Sequence, residues 1–214
     1  MRPLFGTLLF LLATSLPAQV GLGMFYNNNT VSNHNYNGNP ELADLDYQNG
    51  TEAALYYWFR LPKQRIEFMP TVYSTTVRGD RGWVEAGFQF KTNIYLFDLG
   101  TDCHCPTFGK QGPQLQKGFF VQVSPGISLP FRQDPPNDSN SFRAAFTLGG
   151  GLGLDIGISN LLTLTPFAGM RYSLTDVNAL DGYFTDTEVP ASTFRLTTYQ
   201  LGLSATFRFD NRNY

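Results

Sequence analysis

The chain has 214 residues, 15 Lys and Arg against 17 Asp and Glu, a formal net charge of −2 and a mean hydropathy of −0.19. Dispersed, nearly balanced charge lacks the basic footprint of nucleic-acid binding, and two cysteines one residue apart exclude the disulfide framework of a small secreted domain. Gly (21), Phe (19) and Tyr (11) are abundant, and aromatic and β-branched residues sit between Gly, Asn and Pro, a composition that favours strands.

The N-terminus, MRPLFGTLLFLLATSLPAQ, has a positive start at Arg2, an apolar stretch from Leu4 to Leu16 and a break at Pro17-Ala18. This layout predicts a signal peptide over 1–18, cleaved after Ala18, with a mature domain over 19–214. No cysteine follows the apolar run, so no lipoprotein anchor is expected. No later apolar run approaches the roughly 20 residues of a spanning helix.

From there the pattern is one of strands, near 19–27, 52–62, 65–77, 82–97, 117–130, 141–157, 161–173 and 193–209. In the fourth, Val84, Ala86, Phe88, Phe90 and Ile94 alternate with Glu85, Gly87, Gln89, Lys91 and Asn93. In the sixth, Phe146, Leu148, Leu152, Leu154 and Ile156 alternate with Thr147, Gly149, Gly151, Gly153 and Asp155. In the seventh, Leu162, Leu164, Pro166, Ala168 and Met170 alternate with Thr163, Thr165, Phe167, Gly169 and Arg171. The eighth sets Tyr199, Leu201, Leu203, Ala205, Phe207 and Phe209 against Gln200, Gly202, Ser204, Thr206 and Arg208. A period of two places each set on its own face of a sheet.

The connections 27–51, 130–141 and 174–192 are long and polar, and those at 62–64 and 158–160 are tight. Segments 78–81 and 98–116 break this alternation. Two closed architectures accept eight antiparallel strands. A secreted, lipocalin-like barrel points its apolar set inward around an apolar ligand, whereas an outer-membrane barrel points it at lipid and keeps a polar interior. The face opposite the apolar set carries Glu52, Arg60, Glu67, Glu85, Lys91, Arg143, Asp155, Arg171 and Arg208 among many Gly, Ser and Thr. Small residues suit a narrow lumen, so the expected fold is an all-β, eight-stranded, antiparallel up-and-down transmembrane barrel with these charges forming a salt-bridged plug. Tyr26, Tyr57, Tyr95, Tyr172 and Phe209 fall near strand ends, where interfacial girdles sit. Pro70, Pro125 and Pro166 lie inside strands on the apolar parity. A closed barrel has no edge where a missing N–H is harmless, so they are expected at bulges or interfacial positions repeated along one rim.

The ending LGLSATFRF, with Gly202, Phe207 and Phe209, resembles the assembly signal of bacterial outer-membrane barrels, although Asp210 to Tyr214 follow where many members end on the last Phe. Over nearly its whole mature length the chain is similar to the small eight-stranded outer-membrane β-barrel family, of the OmpA/OmpX or PorT-like kind. The resemblance implies a cell-envelope protein of the outer membrane, surrounded by lipid and inserted by the barrel-assembly machinery, with no enzymatic activity and no cofactor. Its loops would serve envelope stability, adhesion or binding of a periplasmic or extracellular protein.

Candidate chemistry is sparse. His34 lies in an Asn-rich segment near Glu41, Asp44 and Asp46, which lack the spacing of a calcium loop. His104 belongs to DCHCPTF, at the other end of the barrel by strand parity, so the two histidines cannot cooperate. No phosphate loop, H-E-x-x-H or G-x-S-x-G motif is present. Three roles stay open for Cys103 and Cys105: a local disulfide or tight turn, a bridge to another protein or redox role, and metal binding with His104 and Asp102.

Overall fold

The computed structural model describes residues 19–32, 49–60, 65–77, 83–96, 118–132, 144–159, 161–175, 177–178 and 193–208. All regular structure among them is β. Eight strands follow one another: β1 (Gln19–Ser32), β2 (Gly50–Tyr57, resuming as Phe59–Arg60), β3 (Ile66–Val77), β4 (Trp83–Tyr95), β5 (Phe119–Arg132), β6 (Ala145–Leu154, resuming as Ile156–Gly157), β7 (Leu162–Ser173) and β8 (Thr193–Arg208). A two-residue ribbon, Val177–Asn178, pairs with the start of β8. The segment 1–18 and the DCHCPTF motif with Cys103 and Cys105 lie outside the described residues, as do His34, Arg143 and Phe209.

Each strand pairs antiparallel with the next, and β8 pairs with β1 from Gln19↔Arg208 to Ser32↔Arg195, closing the sheet into a barrel. Closure removes the free edges that an open sheet would expose. Followed around the ladder, Gly21 leads through Tyr56, Thr71, Gln89, Gly126, Thr147 and Ser173 and, one step past the last bonded pair, Leu196. Leu196 pairs with Val31, ten residues beyond the start on β1. That stagger tilts the strands by about 40°, within the range for small barrels.

Burial alternates along the strands, with the polarity of a soluble protein reversed. Leu22, Met24, Val72, Phe146, Leu152 and Leu201 point out and are exposed, Met24 to 74%. Asn27, Glu52, Glu67, Gln89, Arg171 and Thr198 point in and are buried. A lipocalin-like barrel needs the opposite arrangement. Of the aromatics expected at strand ends, Tyr26 is exposed and Tyr57 and Tyr172 half-buried, but Tyr95 is only 4% exposed. It belongs to the interior, because its parity is that of Lys91 and Asn93 and not that of Ile94.

The prolines correct a second expectation. Registers on both sides of Pro70, Pro125 and Pro166 are unbroken, so no residue is inserted and none sits at a bulge. Each instead interrupts one ladder for two positions while remaining paired on its other side. Pro70 stays opposite Phe90 and faces the break in β2 at Trp58. Pro125 stays opposite Leu148 and faces Phe90, which with Lys91 lacks a partner on β5 while staying paired with β3. Pro166 stays opposite Leu203 and faces the break in β6 at Asp155. Lacking an N–H, proline drops one bond to one neighbour and the register absorbs it.

Where strands turn, local chemistry closes the joint. Between β6 and β7, Ile158 and Ser159 donate backbone bonds to Leu162 O at 3.0 and 3.1 Å, while Ser159 Oγ accepts from Leu161 N and Leu162 N. Gly118, with φ of 77°, enters β5 through the left-handed region open to glycine.

Candidate functional site: the charged and aromatic interior

Several inward positions carry rings or glycines, and the ladder sets these opposite each other. Tyr56 pairs with Gly21, Tyr73 with Gly87, Phe25 with Gly202, and Phe120 with Gly153. A Cβ at Gly87 would lie 2.4 Å from the Tyr73 ring, and one at Gly153 would lie 2.1 Å from Phe120. The glycines are the space into which the rings fold. Phe25 and Phe167 meet edge to face at 6.0 Å, and Tyr95 and Phe120 lie 5.4 Å apart, so a layer of rings fills the lumen from mid-height at Phe25 toward the end that holds Tyr95. Edge-to-face pairs contribute about 0.5–1.5 kcal/mol beyond burial.

On the side of this layer reached by the ends of β1, β3, β5 and β7 sits an ion-pair cluster. Arg171 from β7 donates through Nη1 to Glu52 Oε2 of β2 at 2.9 Å and through Nη2 to Glu85 Oε1 of β4 at 3.3 Å. Its guanidinium lies 4.3 Å from the centroid of the Tyr73 ring, and the Tyr73 hydroxyl donates to Glu85 Oε1 at 2.7 Å. Glu52 Oε2 also accepts from Asn27 Nδ2 (3.1 Å), Thr75 Oγ1 (3.0 Å) and Gln200 Nε2 (2.9 Å). Thr198 Oγ1 donates to Asn29 Oδ1 at 2.8 Å just above. One arginine thus ties β2, β4 and β7 across the lumen, and one carboxylate gathers β1, β2, β3 and β8. Lys91 stands closer to the ring layer, its Nζ 5.0 Å over Phe25, an arrangement of the cation–π type.

A second cluster lies beyond the rings at the opposite end. The Tyr95 hydroxyl is 2.6 Å from both Glu67 Oε2 and Asp155 Oδ2. Trp58 Nε1 donates to Glu67 Oε2 at 2.7 Å, and Thr165 Oγ1 to Asp155 Oδ1 at 2.5 Å. Trp58 and Asp155 are the inward residues at two of the ladder interruptions. Arg60 pairs along the ladder with Glu67, and Arg208 with Gln19, which sets both on strands flanking this end.

The charged residues read from the sequence therefore divide: Glu52, Glu85 and Arg171 come together, Lys91 stands beside them, and Glu67 and Asp155 join through a tyrosine at the other end. Asn27, Trp58, Tyr73 and Gln200, unassigned in the sequence, complete the clusters together with Tyr95, expected from the sequence in a girdle. The signal for Tyr73 and Tyr95 was there, since Tyr73 shares the parity of Glu67, and Tyr95 that of Lys91, on its own strand. Of the expected assembly-signal residues, Gly202 pairs with Phe25 and Phe167, and Phe207 is half-buried on the outward parity. Among the described residues no three His, Cys, Asp or Glu side chains gather as a metal site requires.

Most of the described polar atoms in these clusters reach a neighbour in hydrogen-bonding geometry, although Glu52 Oε1 is buried without one. The arrangement can brace a barrel wall and obstruct passage.

No family model matches the chain, and no curated protein matches it significantly. Solved structures do. The chain is similar to Neisserial surface protein A (NspA), with a TM-score of 0.52 at 12% identity over 90% of this chain and 97% of that one. OprG from Pseudomonas aeruginosa has a TM-score of 0.43 at 13% identity, covering 90% and 96%, and Ail from Yersinia pestis one of 0.41 at 13%, covering 90% and 100%. With NspA the chain shares its fold, the small eight-stranded barrel of outer-membrane proteins.

Proposed function

We infer that the protein is an integral outer-membrane barrel without enzymatic activity, exported by a signal peptide cleaved after Ala18. It braces the envelope, and the long connections after β1, β5 and β7 face the exterior for adhesion or partner binding. The observation that carries this reading is the reversed polarity: large apolar side chains form the outer surface, and a charged, ring-filled interior replaces the core. Only a lipid surround makes that arrangement favourable, because apolar side chains then face hydrocarbon and the ionised groups avoid it. An apolar ligand of the lipocalin kind would find no apolar cavity among Glu52, Glu85, Lys91 and Arg171. The ring layer between the two clusters supports a lumen closed to free diffusion, and the barrel-assembly machinery is the expected insertion route.

Fractionation of cells expressing the full chain should place it in the outer membrane, extractable by detergent and running faster unheated than boiled on an SDS gel. Recovery in the soluble periplasm would overturn the reading. Reconstituted into planar bilayers, the folded chain should give no steady open-channel conductance.

A further inference from the structure

The outer surface is not apolar to the same height all around. Because pairing climbs ten residues along β1 in one circuit of eight strands, each step to the next strand raises the level by a little over one residue. At the level of Asn28 on β1, the outward positions of its neighbours are Thr51 on β2, Thr76 on β3 and Thr197 on β8. At the same level the other four strands present Ala86, Leu129, Phe146 and Tyr172. The polar four sit on contiguous strands: Thr51 pairs with Thr76, and Thr197 with Thr30, itself exposed. One outward position lower, Ser74 beside Ala53 is also exposed. On the opposite side the apolar surface continues upward to Leu174, and Phe146 is 55% exposed.

Tilting a barrel with an even belt would shift both edges of the belt the same way on any one side. That is not what is found. At the other end of the barrel Val20, Phe59, Phe68, Ile94, Leu154 and Leu164 keep the outward positions apolar around the circuit, and both sides carry the belt a little further, through Ile66 and Phe207 on the one and Leu96 and Ile158 on the other. The belt is therefore taller on β4–β7, and shorter on β8, β1, β2 and β3 by roughly 8 Å along the axis. A short apolar span in a bilayer is met by local thinning.

We propose that the face formed by β8, β1, β2 and β3 sits against a locally thinned bilayer, with lipid headgroups of the leaflet on the long-connection side descending to Asn28, Thr51, Thr76 and Thr197. This rests on the outer-membrane reading. Uncharged hydroxyls and an amide suit the hydrated headgroup zone. A protein partner would be held by aromatic or apolar anchors, which the patch lacks.

The test is quencher accessibility of nitroxide labels at Thr51→Cys, Thr76→Cys, Ala86→Cys and Phe146→Cys, each in the full chain carrying Cys103→Ser and Cys105→Ser, folded into dioleoyl phosphatidylcholine vesicles. Labels at 51 and 76 should be several-fold more accessible to a water-soluble nickel chelate than labels at 86 and 146, which should favour oxygen. Equal accessibility at all four overturns the proposal. Shielding of 51 and 76 from both quenchers overturns it in favour of a second protein copy on that face. Failure of the chain to float with the vesicles overturns the membrane reading itself. As a label-free check, Asn28→Leu, Thr51→Leu and Thr76→Val together even out the belt. They should move the preference of the heat-modifiable folded form from dilauroyl toward dioleoyl vesicles, and an unchanged preference counts against the thinned face.

Discussion

At the scale of single residues, Arg171 is the side chain on which the interior most depends. It is 3% exposed and neutralises two carboxylates from different strands while lying on the face of Tyr73. Removing it leaves Glu52 and Glu85 buried without their shared cation. Loss of one partner from a buried, hydrogen-bonded pair costs about 3–5 kcal/mol. Arg171→Met should therefore lower the unfolding free energy of the vesicle-folded protein by that order, read as a fall in the urea midpoint followed by tryptophan fluorescence. Arg171→Lys should recover only part, since an ammonium cannot fork to both acceptors. An unchanged midpoint would mean that the ion pairs contribute no net stability.

At the scale of elements, each strand is shaped by what its neighbour leaves open. Gly87 has an outward-facing apolar residue on either side in sequence and a ring opposite, and the Tyr73 hydroxyl reaches Glu85 because its ring lies over that glycine. Gly87→Val should destabilise by about 1–3 kcal/mol or more through overpacking. Adding Tyr73→Ala should relieve part of that loss, a non-additivity that a double-mutant cycle would read in the same unfolding assay. A purely additive pair would show that the glycine is not there for the ring. The prolines teach the complementary lesson. Their positions within alternating runs were plain, but the alternation is blind to which ladder loses its bond. Only the pairing on both sides reveals an interruption in place of a bulge.

At the scale of the whole molecule, the outward side chains take the place that a core has in a soluble protein. Leu201, 65% exposed in the middle of the β8 belt, would tolerate most replacements on a soluble surface. Facing lipid, Leu201→Arg should cost about 2–4 kcal/mol. It should also reduce the heat-modifiable fraction on SDS gels, whereas an unaffected folded fraction would place β8 against water. The two interior clusters lie at opposite ends of one closed wall, so each braces a different rim.

By itself, the sequence determined the strand count, the alternation and the polarity of the two faces, because a period of two writes the orientation of every strand into its own residues. Glu52, Glu85, Lys91 and Arg171 could be set on one face in this way, each from its own strand alone. Which of them meet could not be read, since that depends on the stagger of closure, a property of all eight ladders together. The same stagger brings Arg171 to Glu52 across more than half the chain and turns Tyr95 from a strand-end aromatic into a bridge between Glu67 and Asp155. It also leaves one side of the apolar belt shorter than the other. Local pattern fixes facing; only closure fixes height.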